Sequence, residues 1–297
     1  MNNTIITRRD FMKGAACAGM AATVGFPVEL SLGDETVAKT KVVIIRDSTV
    51  LGGGGEIDSA VLSQMLDKGA AELFDRNDAA SAWNRIFSPD DIVGVKSNKW
   101  PYLPTPPEME RAIRQRALKS GIHEDNISID DRGVRENKIF KKATALINVR
   151  ALKYHHWAGI GGCLKNYIMF VPRPEDYHDD SCADLGTIWK LPHIAGKTKL
   201  NILAMLTPLF HGIGPHHFDR KYVWEYKGII VGTDPVAVDA VGLRIVEAKR
   251  MEHFGKYRPL APPAHHIRFA ETRHGVGTSD PDKIELIKLG WQDGVLI

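Results

Sequence analysis

Seven stretches of the chain are almost continuous in apolar residues and have the length of strands. They are KVVIIR (Lys41 to Arg46), DIVGVKS (Asp91 to Ser97), NISID (Asn126 to Asp130), ATALINV (Ala143 to Val149), LNILAML (Leu200 to Leu206), KGIIVG (Lys227 to Gly232) and IELIKLG (Ile284 to Gly290). A strand covered on both faces loses the alternation of a half-exposed one, so these runs predict strands inside a parallel sheet. Between them the apolar positions fall at helical spacing. Ile57, Ala60, Val61, Met65 and Ala70 share one face of a segment that ends near Phe74, with Asp58 placed to cap its start. Pro107 opens EMERAIRQRALKSG and Gly121 closes it, and Asp234 and Pro235 open VAVDAVGLRIVEAK in the same manner. Strands alternating with helices predict an α/β fold: a mostly parallel, doubly wound sheet with helices on both faces. Ligands of such sheets bind beyond the carboxyl ends of the strands.

No repeat, low-complexity tract or linker interrupts the chain after residue 40, so residues 39–297 read as a single α/β domain, with room for two lobes. The 297 residues carry a formal net charge of only +3, and no basic stripe interleaved with aromatics stands out, which argues against nucleic acid as a partner. The N-terminus carries more information. TRRDFMK (Thr7 to Lys13) precedes GAACAGMAATVGF, a short uncharged stretch too rich in glycine for a stable transmembrane span. Paired arginines with Phe11 two places on resemble the twin-arginine signal, with Met12 in place of its leucine. Residues 1–38 are therefore expected to be a twin-arginine signal peptide and short linker, with the twin-arginine translocase as partner during export and a periplasmic or otherwise exported destination. Beyond the signal only Cys163 and Cys182 remain; they can pair in an oxidising compartment, but two thiols hold no iron–sulfur cluster, and none is expected.

Chemistry concentrates in KYHHWAGIGGCLKN (Lys153 to Asn166), directly after the strand ATALINV. Gly159, Gly161 and Gly162 permit backbone shapes that present N–H groups to an anion. His155 and His156 can move protons or bind a metal, and Lys165 can hold an anion or act as base or nucleophile. The competing reading is a tight strand-to-helix turn with solvated side chains. Asn98 and Lys99 stand at a second strand end and can reach an anionic ligand. His211, His216 and His217 follow a third strand end and are candidate metal ligands, although their spacing matches no familiar zinc pattern. Asp234 is a helix cap first and a binding residue second, whereas Asp239, one turn on, can face the site.

INVRALKYHHWAGIGGCLKN resembles the signature of the domain of unknown function 362 family. VGVKSNKW resembles that family's upstream strand, and GIIVGTDPVAVDAVG its downstream strand and helix. More distantly, HHWAGIGGCLK is similar to a stretch of the lactate racemases, as is LPTPPEMERAIRQRALKSGIHEDNISI. That likeness implies an acid/base role for His155 and a nickel-pincer cofactor on Lys165. It departs where the racemases carry a second catalytic histidine: here the turn is Asp130, Asp131, Arg132, Gly133. The expected site gathers Lys99, Asp131, His155, His156, Lys165 and Asn166 around a small anionic ligand, plausible as a carboxylate, with a metal ion or pincer-type cofactor as an option. This describes an enzyme, an isomerase or an oxidoreductase. The alternative from another class is a non-catalytic periplasmic binding or accessory protein of a respiratory or redox complex.

Overall fold

A computed structural model describes residues 38–212 and 218–297. The expected export signal, up to residue 37, lies outside the described residues, as do His216 and His217. Eight strands form one sheet: β1 (Thr40–Arg46), β2 (Val93–Lys96), β3 (Ile127–Asp130), β4 (Ala145–His155), β5 (Gly159–Gly161), β6 (Thr198–Leu209), β7 (Gly228–Gly232) and β8 (Ile284–Gly290). Their spatial order is β3-β2-β4-β6-β7-β1-β8, with β5 paired to β4. Every predicted apolar run is a strand.

The pairs β2–β3, β2–β4, β4–β6 and β1–β8 are parallel, and β7 is antiparallel to both β6 and β1. The sheet is therefore mixed, though mostly parallel. A parallel return needs a crossover of a dozen or more residues, usually a helix. Between β6 and β7 the described residues offer only the short 3-10 turn Arg220–Tyr222. The reversal has a consequence for the site, because the residues after β7 emerge at the opposite edge from the carboxyl ends of β2, β3 and β4.

Alternation within each strand divides the core in two. Val43, Ile45, Ile202, Ala204, Ile229 and Val231 face one layer, and Val42, Ile44, Leu203, Met205 and Ile230 the other. The first layer is completed by helices α1 (Ser59–Leu73), α2 (Ala79–Ile86) and α3 (Pro107–Lys119), which bury Leu62, Leu66, Trp83, Ile86 and Ile113 there. On the other face lie α4 (Lys138–Lys142), α5 (Cys163–Asn166), α6 (Leu185–Ile188), α7 (Pro235–Phe254) and α8 (His265–Thr272). Each fully buried Val, Leu or Ile contributes about 1.5–3 kcal/mol, so two such layers hold the sheet without help from its polar residues.

The helix ends follow the expected chemistry. Asp58 accepts from the N–H groups of Ala60 and Val61 at 2.8 and 3.0 Å, and Asp234 from those of Val236 and Ala237 at 2.8 and 3.1 Å. Gly121 closes α3 at φ +89° and Gly255 closes α7 at φ +66°. No helix among the described residues is long and apolar enough to cross a membrane.

Candidate active site

β4 runs longer than its apolar core. It continues through Arg150, Lys153 and His155, and its pairing with β6 shifts register between Ala151 and Lys153. Between these positions β4 advances two residues while its partner advances from Ala204 to Leu209, so the ladder is interrupted there by extra residues on β6. All three side chains line a cavity of about 490 Å³ beyond the carboxyl ends of β2, β3 and β4. KYHH therefore ends a strand and does not begin a loop.

The floor of the cavity is cationic. Lys96, fully buried at the end of β2, donates to Asp131 Oδ1 at 2.6 Å and to the Ser97 carbonyl at 2.6 Å. Burial lowers its pKa to about 8 against the pull of Asp131. For Asp131 burial acts against ionisation, but the charge and hydrogen bond of Lys96, with the Lys99 backbone N–H at 2.9 Å, outweigh it and hold the carboxyl below its ordinary range. Asn166 completes the knot: its side-chain oxygen accepts from Lys96 at 3.3 Å and its amide donates to Asn148 Oδ1 at 2.8 Å.

Three more cations have less support. Lys153 donates to Asn98 Oδ1 and to the Leu103 carbonyl, both at 2.8 Å, and burial with the neighbouring Arg150 pushes its pKa well down. Burial lowers the Lys165 pKa to about 8, and its Nζ lies 3.4 Å from Cys182 Sγ. The Arg150 pKa falls to about 10 through burial, and its Nε has no hydrogen-bond partner among the described residues. A buried donor left unpaired costs about 1–3 kcal/mol, so this guanidinium is held at a cost to the fold. The one carboxylate lining the cavity, Asp131, is already committed to Lys96.

His155 is neutral here, its pKa driven well below the ordinary value by burial and by Lys165 and Arg150. The Trp157 backbone N–H donates to His155 Nδ1 at 3.2 Å, which leaves the proton on Nε2. Its assignment as acid/base is thereby narrowed to a hydrogen-bond donor. Lys165, which lines the cavity, has a pKa lowered to about 8 by burial, within reach of the neutral form near neutral pH.

The glycine turn does cradle a carboxyl group, but the group belongs to the protein, and burial raises its pKa to about 7. Asp239, buried in α7, accepts from the N–H groups of Cys163 and Leu164 at 2.6 and 2.9 Å. A Cβ on Gly162 would lie 2.2 Å from Asp239 Oδ1. Gly162 is thus glycine so that the carboxylate can reach the start of α5, fixing Lys165 and Asn166 over the cavity. Gly161 lies against the Arg150 guanidinium, and Gly159 turns the hairpin at φ +72°. The expectation that these three glycines bind an external anion is corrected accordingly.

Asn98, Asp131, His155, Lys165 and Asn166 come together in the cavity as expected. Lys99 reaches it through its backbone only, with an exposed side chain. His156 does not line the cavity; its ring packs 4.2 Å from that of Trp157. Asp234 caps α7 at the opposite edge of the sheet, because β7 runs antiparallel. His211 Nδ1 accepts from Arg250 at 2.8 Å, and its pKa falls to about 4 through burial and the Arg250 charge, a poor setting for a cation. Among the described residues no three His, Cys, Asp or Glu side chains converge as metal ligands. Cys163 and Cys182 are both free and buried. The residues missed from sequence are Lys96, Arg150 and Lys153; Lys96 lies inside a run read as strand and Arg150 directly after one, a misplaced charge that could have found them, whereas Lys153 was hidden because β4 runs on to His155.

The segment holding most of these groups has relatives. Residues 121–244 match the family model described as Domain of unknown function (DUF362). The DUF362 match spans β3 to the first turns of α7, including Asp131, Arg150, Lys153, His155, Lys165 and Asp239; Lys96 and Asn98 precede it. No curated protein and no solved structure matches the chain.

Proposed function

We propose that the chain is an exported enzyme that binds a small carboxylate in this cavity and moves a proton on the carbon next to it, as an isomerase does. The observation that carries the reading is the cavity floor: Arg150, Lys153 and Lys165 converge there, and the one carboxylate among the lining residues is already paired with Lys96. In this reading Arg150 and Lys153 hold the substrate carboxylate. His155 Nε2–H donates to a neighbouring hydroxyl or carbonyl oxygen, stabilising the charge that develops there. Lys165, with a pKa of about 8, takes the proton in its neutral form. The twin-arginine motif of Arg8 and Arg9 supports export.

The nickel-pincer group that the racemase resemblance implies does not fit the residues present. The turn that would carry the second histidine is Asp130, Asp131, Arg132, Gly133, and Asp131 there is bound to Lys96 and to the Lys99 N–H, so no second imidazole stands beside Lys165 from that turn. The chemistry proposed uses the chain's own side chains.

The test is exchange of the C2 proton of 2-hydroxy carboxylates in D2O, followed by NMR with the full chain. Exchange by the wild type, lost in Lys165→Met, is the expected result. Carboxylate binding without exchange would transfer the protein to the binding or accessory class, and the absence of any carboxylate binding would sink the reading of the cavity itself.

A further inference from the structure

Charge and apolar surface are separated by depth in the cavity. At its floor Arg150, Lys153 and Lys165 are 6%, 2% and 3% exposed. At its mouth Tyr102 and Trp157 are 54% and 41% exposed, two of the few large apolar side chains on the described surface to be so open. Aromatic rings flank the entrance from two directions. Trp157 packs on His178 with ring centroids 4.1 Å apart, and Trp100 packs edge-on against Tyr102 at 5.1 Å. Lys153 Nζ lies 4.6 Å from the Trp100 ring centre, so the mouth is joined to the floor by a cation–π contact. Ile168, Met169 and Pro174 complete the apolar wall.

The volume does not suit a minimal carboxylate. A three-carbon hydroxy acid has six heavy atoms, and even at a water's share of about 30 Å³ each it would fill no more than about 180 Å³. The cavity holds about 490 Å³. The remaining space lies between flat rings, which favour a flat partner in stacked or edge-on contact.

We infer that the ligand is an aryl-substituted carboxylate: its carboxylate on Arg150 and Lys153, its ring in the mouth between Trp157 and the Trp100–Tyr102 loop. This rests on the anion-binding reading of the same cavity and adds the class of its apolar part. Trp100 and Tyr102 lie outside the segment matched by the family model, so this half of the site is a property of this chain's own loop.

Calorimetric titration of the full chain with pyruvate, phenylpyruvate, 4-methyl-2-oxopentanoate and the neutral 2-phenylethanol tests it. Phenylpyruvate is expected to bind at least about tenfold tighter than pyruvate, about 1.4 kcal/mol, and tighter than 4-methyl-2-oxopentanoate. Tyr102→Ala, at an exposed position, is expected to bring the phenylpyruvate-to-pyruvate ratio close to one. Equal affinity for pyruvate and phenylpyruvate overturns the inference while leaving the anion site intact, as does a 4-methyl-2-oxopentanoate affinity equal to that of phenylpyruvate. Binding of 2-phenylethanol as tight as that of phenylpyruvate overturns the anion reading beneath it.

Discussion

The Lys96–Asp131 pair permits a prediction whose size and pH dependence both follow from the geometry. In Asp131→Asn the side chain keeps its shape and can still accept from the Lys99 N–H, but Lys96 loses its counter-ion 2.6 Å away. Breaking a buried pair from one side costs about 3–5 kcal/mol while the remaining partner stays charged. Lys96 need not stay charged. Its pKa is already down to about 8 through burial, and the pull of Asp131 is the largest effect opposing that fall. Without the carboxylate it must drop further.

A lysine depressed in the folded state makes stability rise with pH between its folded pKa and its unfolded value of about 10.4, because there the unfolded chain binds more protons. For the wild type this rise begins near pH 8, and for the variant it begins lower. The stability gap between them is therefore widest in mild acid, shrinks by about 1.4 kcal/mol for each unit that the variant's Lys96 has fallen, and becomes constant above about pH 8. Urea unfolding of both proteins followed by tryptophan fluorescence, at about pH 6, 7 and 9 and fixed ionic strength, measures the gap directly. A gap that stays constant across that range, or widens with pH, would refute the account of Lys96 as a burial-depressed cation held by Asp131.

Two further outcomes follow from the same region. Gly162→Ala must displace Asp239 from the two N–H groups it accepts, since the added Cβ would fall 2.2 Å from its Oδ1; thermal unfolding should show a loss of at least the 1–3 kcal/mol typical of overpacking, and carboxylate binding should weaken with it. Lys165, with a pKa of about 8, is about half neutral at pH 8 where an ordinary lysine is under about 1% neutral, so its reductive methylation by formaldehyde, read by peptide mass, should rise through pH 8 and plateau well before that of exposed lysines.

Much of the fold was legible because burial on both faces writes itself into sequence as uninterrupted apolar runs. KVVIIR and LNILAML have the length and composition of interior strands, and Asp58 and Asp234 stand directly before the helical patterns they cap. The direction of β7 was not legible: GIIVG reads the same either way, and only the lack of a crossover helix before it carries the information. The site was legible as a place, since Asp131, His155, Lys165 and Asn166 meet where the strands end. Its roles were less so. Arg150 and Lys153 both line the cavity beside an interruption of the β4–β6 ladder, and an internal carboxyl group 76 residues away took the N–H groups that the glycine turn offers. Both are tertiary facts that no local spacing encodes.

The cations at the cavity floor set the fold and the function against each other. Lys96, Arg150, Lys153 and Lys165 are all more than nine-tenths buried, and burial is the leading cause of the depressed pKa of each. Apolar side chains of similar length would pack in these places at no loss, and buried charges are often replaced with a gain in stability. The two apolar layers already hold the sheet, so stability alone does not account for three buried cations lining a cavity whose one lining carboxylate is paired with Lys96 beneath it. An anion bound beside Arg150, Lys153 and Lys165 would, because its charge favours their protonated forms, raise their depressed pKa values and turn a cost in the free protein into affinity for its ligand.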